Sequence, residues 1–232
     1  MQEEIWSDVV CPWCYIGKRR FETALGQFVG RDAVRIVWRS FELDPSAPKK
    51  AGEDMATRLS KKYRMNREQA LESMRRVTDL AMAEGLEYHM DTVKPTNSFD
   101  AHRLLQLASR KGRGNQMKER LLKSYFTDSL DISDEEVLVS LGAEVGIEVD
   151  EIRSMCASDL MADDVRNDEA LAAKYGINGV PFFVFDSKYG VSGAQEAETF
   201  LEVLNKVADE SSPLNVLGDA SAESCTDESC SI

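Results

Sequence analysis

The chain has 232 residues, a formal net charge of −13 and a hydrophobic content of 43%. That is enough apolar material for one large domain or for a domain carrying an insertion. No apolar run approaches the roughly 18 residues a membrane helix needs, and the acidic balance argues against nonspecific nucleic-acid binding, which requires basic patches.

The opening stretch, MQEEIWSDVV, has neither a basic nor a long apolar region, so it reads as a first strand, EIWSDVV, and not as a signal peptide. A cytoplasmic location follows as the expectation. In PWCYIGKRRFETALGQF the residues Trp13, Ile16, Phe21, Ala24, Leu25 and Phe28 recur at helical spacing, with Gly30 as a stop. Residues 34–43, VRIVWRSFEL, alternate as a second strand. Residues 1–43 therefore predict β-α-β with a right-handed crossover.

DPSAPKKAG breaks the pattern, and from about residue 53 to 175 the sequence is mostly helical, in five or six elements. Asn66 and Gln69 suit a helix start, Gly85 an end, Asn97 or Ser98 a further start, and Ser133 with Glu136 has capping-box spacing. Strand signals return in GINGVPFFVFDSKYGVSGA, with DSKYG as a hairpin turn, and AQEAETFLEVLNKVADE predicts a last amphipathic helix. The chain thus divides into residues 1–48 with 176–209, an inserted helical region 49–175, and a tail 210–232. The tail holds carboxylates, small residues and no Lys or Arg, a composition of weak order. Its acid has a possible counterpart in Lys18, Arg19 and Arg20; a solvated tail is the plainer reading.

Of the five cysteines, Cys11/Cys14 and Cys225/Cys230 form close pairs, and Cys156 stands alone as an expected buried thiol. Close pairs in a cytosolic chain suggest redox chemistry or metal more than stapling. Cys11 falls where the first strand gives way to the first helix. A helix N-terminus stabilises a thiolate there, and Pro12 costs nothing in a first turn. Cys14, about a turn further on, can receive Cys11 in a short disulfide while Cys11 stays the exposed attacker. Far away, Val180–Pro181 precedes a strand. A cis Pro there would free neighbouring backbone groups for an extended peptide beside Cys11, whereas a trans Pro would simply start a strand.

Together these motifs resemble the DsbA-like branch of the thioredoxin superfamily. SDVVCPWCYIG, NSFDAHRLLQLA and GINGVPFFVF with VSGAQ are most similar to the FrnE-type group of predicted dithiol–disulfide isomerases, and the C-x4-C tail resembles the tail seen in that group. The resemblance implies an α/β thioredoxin fold with a helical domain inserted between its β-α-β and β-β-α halves. It also implies thiol–disulfide exchange on disulfide-containing or unfolded proteins. Cys11 would be the nucleophile, Cys14 the resolving thiol and Pro181 a facing cis-proline, with Val10, Pro12, Trp13 and Val180 framing the groove. No cofactor is expected; glutathione or thioredoxin would serve as electron donor. In a reducing cytoplasm, reductase or isomerase work is as plausible as net oxidation.

Glu223, Asp227 and Glu228 should raise the thiols of Cys225 and Cys230 by like charge, which suits a pair that holds or relays a disulfide. Incidental thiols are the bland alternative. Zinc held by the four paired cysteines is a reading of another class, set against the roughly 210 residues between the pairs. A glutathione-dependent isomerase or transferase of the same fold is the third, disfavoured by the intact C-P-W-C. Asp8 is read as a turn cap or a tuner of Cys11, His102 as a satisfied packing histidine, and Met74, Met82 and Met90 as core.

Overall fold

A computed structural model describes residues 1–50 and 52–211, with Ser211 described in its backbone only. Its elements are β1 (Gln2–Ser7), α1 (Pro12–Gln27), β2 (Arg35–Ser40), α2 (Met55–Tyr63), α3 (Arg67–Ala83), α4 (Phe99–Arg110), α5 (Gly114–Phe126), α6 (Glu135–Glu144), α7 (Val149–Cys156), α8 (Ala162–Lys174), β3 (Phe182–Phe185), β4 (Tyr189–Ser192) and α9 (Ala197–Ser211). The strands form one sheet in the order β2-β1-β3-β4. β1 runs parallel to β2, and the other pairs are antiparallel.

Alternation along β1 gives the sheet two different faces. Ile5 belongs to the larger core, where Phe21 of α1, Phe183 of β3 and Phe200 of α9 meet at ring distances of 4.5 to 5.7 Å. Each buried phenylalanine there contributes about 1.5–3 kcal/mol. Trp6 points the other way. Its indole donates to the Asp168 carbonyl on α8 at 2.9 Å and packs with Ala172, Ile177 and Val184. α1 and α9 thus cover one face and α8 the other, leaving the end of β1 to feed the start of α1.

Several local expectations shift. β2 stops at Ser40, because Glu42 N–H turns to the Glu169 carboxylate and Leu43 N–H to Asp8. α1 ends at Gln27 with Phe28 as its C-cap, before Gly30. The capping box of Asn66 and Gln69 forms, but α6 is capped by Asp134, which accepts from the Glu136 and Val137 N–H groups, while Ser133 Oγ donates to Lys49 O and Asp131. Seven helices lie between β2 and β3 among the described residues. The unforeseen one is α2, hidden by its Ser-Lys-Lys-Tyr stretch although Asp54 caps it at Thr57 N–H, 2.8 Å away. Met74 and Met90 are buried as expected, but Met82 is 68% exposed. Cys156 is half-buried, and burial pushes its thiol up.

Candidate active site

The chain leaves β1 at Ser7, turns through Asp8 to Val10, and enters α1 with Cys11 as its N-cap and Pro12 in the first turn. Cys14 N–H returns to Cys11 O at 3.1 Å, which closes that turn. Cys11 Sγ donates to Val180 O at 3.6 Å across 169 residues, and the Val180–Pro181 peptide is cis. The close fit extends to Gly17, where an added Cβ would stand 3.1 Å from Pro181 Cγ and 3.3 Å from Ala194 Cβ. The expected exposed attacker is a correction: Cys11 is only 3% exposed, because the loop before β3 covers its sulfur.

What Cys11 does reach is a cavity of about 450 Å³. Val10, Pro12, Trp13 and Val180 form one side of its wall, and Leu59 and Met74 of the α2–α3 hairpin form another. Arg58 and Lys62 of α2 also border it. Cys14 does not line this cavity. It faces inward, where the Ser7 hydroxyl, the Asp8 backbone N–H and the buried Lys118 ammonium surround it.

The two thiols titrate as a pair. The hydrogen bond to Cys14, burial and like charge push the Cys11 thiol up. Burial also opposes a charge on Cys14, yet the Cys11 hydrogen bond, Lys118 and Ser7 outweigh it and hold that thiol below its ordinary value. One proton therefore leaves the pair easily and the second with difficulty. Lys118 has no exposed surface. Its Nζ donates to Ser7 O at 3.2 Å and lies 5.4 Å from the centre of the Trp38 ring, and burial lowers it to about 8.

Asp8 is also fully buried, and accepts from Val10 N–H at 3.3 Å, Leu43 N–H at 2.8 Å and His102 Nε2 at 3.2 Å. Burial opposes its ionisation, but the bond with His102 and the Leu43 N–H hold its carboxyl below the ordinary range. His102 is thus no satisfied packing residue: Nε2 is engaged by Asp8, and Nδ1 is buried without a partner. Lys118, Ser7 and Tyr88, whose hydroxyl donates to Pro12 O at 2.8 Å, were not singled out in the sequence. Nothing near Cys14 in the chain marks them.

The basic run after the motif is already occupied. Lys18 is buried between Glu22 and Glu119 at 2.6 Å each, Arg19 pairs with the same two carboxylates, and Arg20 binds Glu84 and Glu196. The Lys18 and Arg19 bonds to Glu119 tie α1 to α5 and draw Glu119 down to about 2 against the effect of burial. Cys225 and Cys230 lie outside the described residues. Among the described residues no group of three or more His, Cys, Asp or Glu is placed to hold a metal, and no helix is long and apolar enough to cross a membrane.

A four-stranded thioredoxin sheet, a paired cysteine at a helix N-terminus and a cis-proline loop facing it define a thioredoxin-fold dithiol protein. The chain matches the DSBA-like thioredoxin domain over residues 4–205 and belongs to that family. It is 43% identical to a probable DsbA oxidoreductase from Streptomyces coelicolor, whose crystal structure superposes with a TM-score of 0.88 over 100% of this chain and 99% of that one. It is 28% identical to the uncharacterised protein YwbO of Bacillus subtilis, over 87% of this chain and 94% of that protein. The cytosolic disulfide reductase DsbM of Pseudomonas aeruginosa, solved with GSH, shares the fold at 17% identity and a TM-score of 0.64, covering 90% and 100% of the two chains.

Proposed function

We propose that this member of the DsbA-like family is a thiol–disulfide oxidoreductase and isomerase of protein disulfides, of the FrnE type. The pair's single negative charge reaches Cys11 when the Cys14 thiolate takes the Cys11 proton across their hydrogen bond. Cys11 then attacks a substrate disulfide, one substrate sulfur leaves and is protonated to a thiol, and a mixed disulfide forms. Cys14 then attacks Cys11, releases the second substrate sulfur and closes the Cys11–Cys14 disulfide. The observation that carries this reading is the division of the two sulfurs, Cys11 toward the cavity and Cys14 toward a buried cation.

Pro12, Trp13 and Val180 frame the entrance, and the cavity seats an apolar side chain beside the substrate cysteine. Trp13 and Leu43 are part-exposed at 40% and 37%, which suits unfolded polypeptides. Cys225 and Cys230 relay electrons to the Cys11/Cys14 pair in this proposal. A reducing, cytoplasmic setting suits the lone half-buried Cys156, which has no disulfide partner among the described residues. There, a dithiol or glutathione returns the pair to its reduced state. A second reading, a glutathione-dependent isomerase or transferase, gains support from Lys62 at the cavity, which suits a small anionic thiol, and less from Arg58, which Asp44 of the same wall already holds at 2.8 Å.

Insulin reduction and refolding of a scrambled substrate test the proposal on wild type, Cys11→Ser and a Cys225→Ser/Cys230→Ser double variant. Cys11→Ser is expected to abolish both activities; retained activity refutes the role. A tail variant that behaves as wild type removes the relay.

A further inference from the structure

Exchange at the two sulfurs leaves part of the buried polar cluster unused. Asp8 and His102 are both fully buried, with Nε2 3.2 Å from Oδ1. A carboxylate only accepts, so Nε2 donates and Nδ1 holds the free lone pair. That nitrogen has no partner. Nor does Oε1 of Glu42, a residue whose other oxygen binds Arg166 at 2.7 Å and whose carboxyl lies within electrostatic reach of His102. Unpartnered buried polar atoms are costly and uncommon, and here two of them fall on interacting side chains.

A count of charges gives them a use. With Cys11 and Cys14 joined as a disulfide, the Lys118 ammonium and the Asp8 carboxylate balance one another beneath the pair. Reduction adds a thiolate at the same dry place, and an unbalanced buried charge is expensive. The open position beside Asp8 for a compensating proton is His102 Nδ1. We propose that His102 is a redox-linked proton acceptor, which gains a proton at Nδ1 when the Cys11–Cys14 disulfide is reduced and gives it up when the disulfide re-forms. This inference rests on the dithiol reading above.

The surroundings of His102 fit that role. The turn after β1 presents Asp8; the segment after β2 presents Glu42, with Arg166 of α8 behind it; and through Asp8, α5 adds Lys118 and Tyr125, whose phenol burial keeps neutral. On α4 itself, Asp100 and Arg103 pair with each other at 2.9 Å. The step balances. A dithiol donor leaves as its disulfide and supplies two electrons and two protons. The S–S bond breaks, one sulfur takes a proton as thiol, the other stays thiolate, and His102 takes the second proton. Re-oxidation by a substrate disulfide returns both protons to two substrate thiols.

Imidazole ¹H–¹⁵N spectra of the full chain, oxidised and then reduced with dithiothreitol near neutral pH, test this directly. The chain has two histidines, and His89, which is exposed, serves as the internal reference. His102 is expected to be neutral in the oxidised form and an imidazolium in the reduced form, with His89 unchanged. One protonation state for His102 in both forms overturns the proposal. His102→Gln keeps a donor for Asp8, and is expected to raise the protons released to an indicator dye, per disulfide reduced by dithiothreitol, from about zero to about one. An unchanged count also overturns it, and if the variant does not fold, the wild-type spectra decide. A pair that cycles while His102 stays constant sinks this inference alone; a pair that never forms a disulfide sinks the redox reading with it.

Discussion

Cys11 borders a cavity walled largely by apolar side chains, whereas Cys14, about one helical turn on, faces Ser7, Asp8 and the buried ammonium of Lys118. One motif therefore has two sides built from different parts of the chain. The cavity side comes from the start of α1, the loop before β3 and the α2–α3 hairpin. The polar side comes from the end of β1 and from α4 and α5. Under the proposed mechanism the contrast is a division of labour: the first side would select what arrives, and the second would set the charge on the sulfur that finishes the exchange.

Removing the attacking sulfur breaks the cavity side outright. Cys11→Ser is expected to lower insulin-disulfide reduction by on the order of 10³-fold or more, read as turbidity. A loss of less than tenfold would mean that another thiol attacks.

Lys118→Met tests the polar side through stability. The folded chain holds this lysine near 8 and the unfolded chain near 10.5. Between those values the unfolded chain keeps a proton that the folded chain lacks, so stability from this group rises with pH. The rise amounts to about 3 kcal/mol and should vanish in Lys118→Met. Denaturant unfolding at pH 8 and pH 10.5 measures it, and equal pH dependence in both proteins contradicts the burial of that charge. The same variant removes the cation beside Cys14. The first thiol titration, followed by thiolate absorbance near 240 nm, should move upward by roughly 1–2 pH units. An unmoved midpoint would leave the helix N-terminus as the source of the lowered thiol.

Trp13→Ala sharpens the comparison from the other direction. It trims the mouth of the cavity without touching Asp8, Lys118 or His102. KM for insulin should rise several-fold, by about 1 kcal/mol of apolar contact, while the rate with a small aromatic disulfide stays within about twofold. Equal losses on both substrates would place Trp13 in the chemistry and not in recognition.

The two sides also differ in how far the sequence reveals them. The cavity side was legible because its signals are local: a strand, C-P-W-C at a helix start, and a Val-Pro before a second strand. The four strands and the helical stretch between their two halves were legible for the same reason, through period and punctuation, whereas their assembly into a thioredoxin sheet was implied by the family resemblance of the motifs. The polar side was not. His102 and Lys118 sit 94 and 111 residues from their partners Asp8 and Ser7; on its own helix His102 reads as a packing histidine, and nothing on α5 marks Lys118. α2 escaped because it is only nine residues long and rich in Arg, Lys, Ser and Thr, although Met55, Leu59 and Tyr63 recur along one face at four-residue spacing. The burial of Cys11 escaped because Val180 O, which covers it, arrives from 169 residues away.

Trapping the mixed disulfide tests the central assignment most directly. Reduced Cys14→Ser and Cys11→Ser variants are incubated with a disulfide-bonded unfolded protein, quenched in acid and mapped by non-reducing peptide mass spectrometry. An adduct through Cys11 should accumulate in Cys14→Ser and be absent at Cys14 in Cys11→Ser. Adducts through Cys14 at comparable yield, or none through Cys11, would contradict the account.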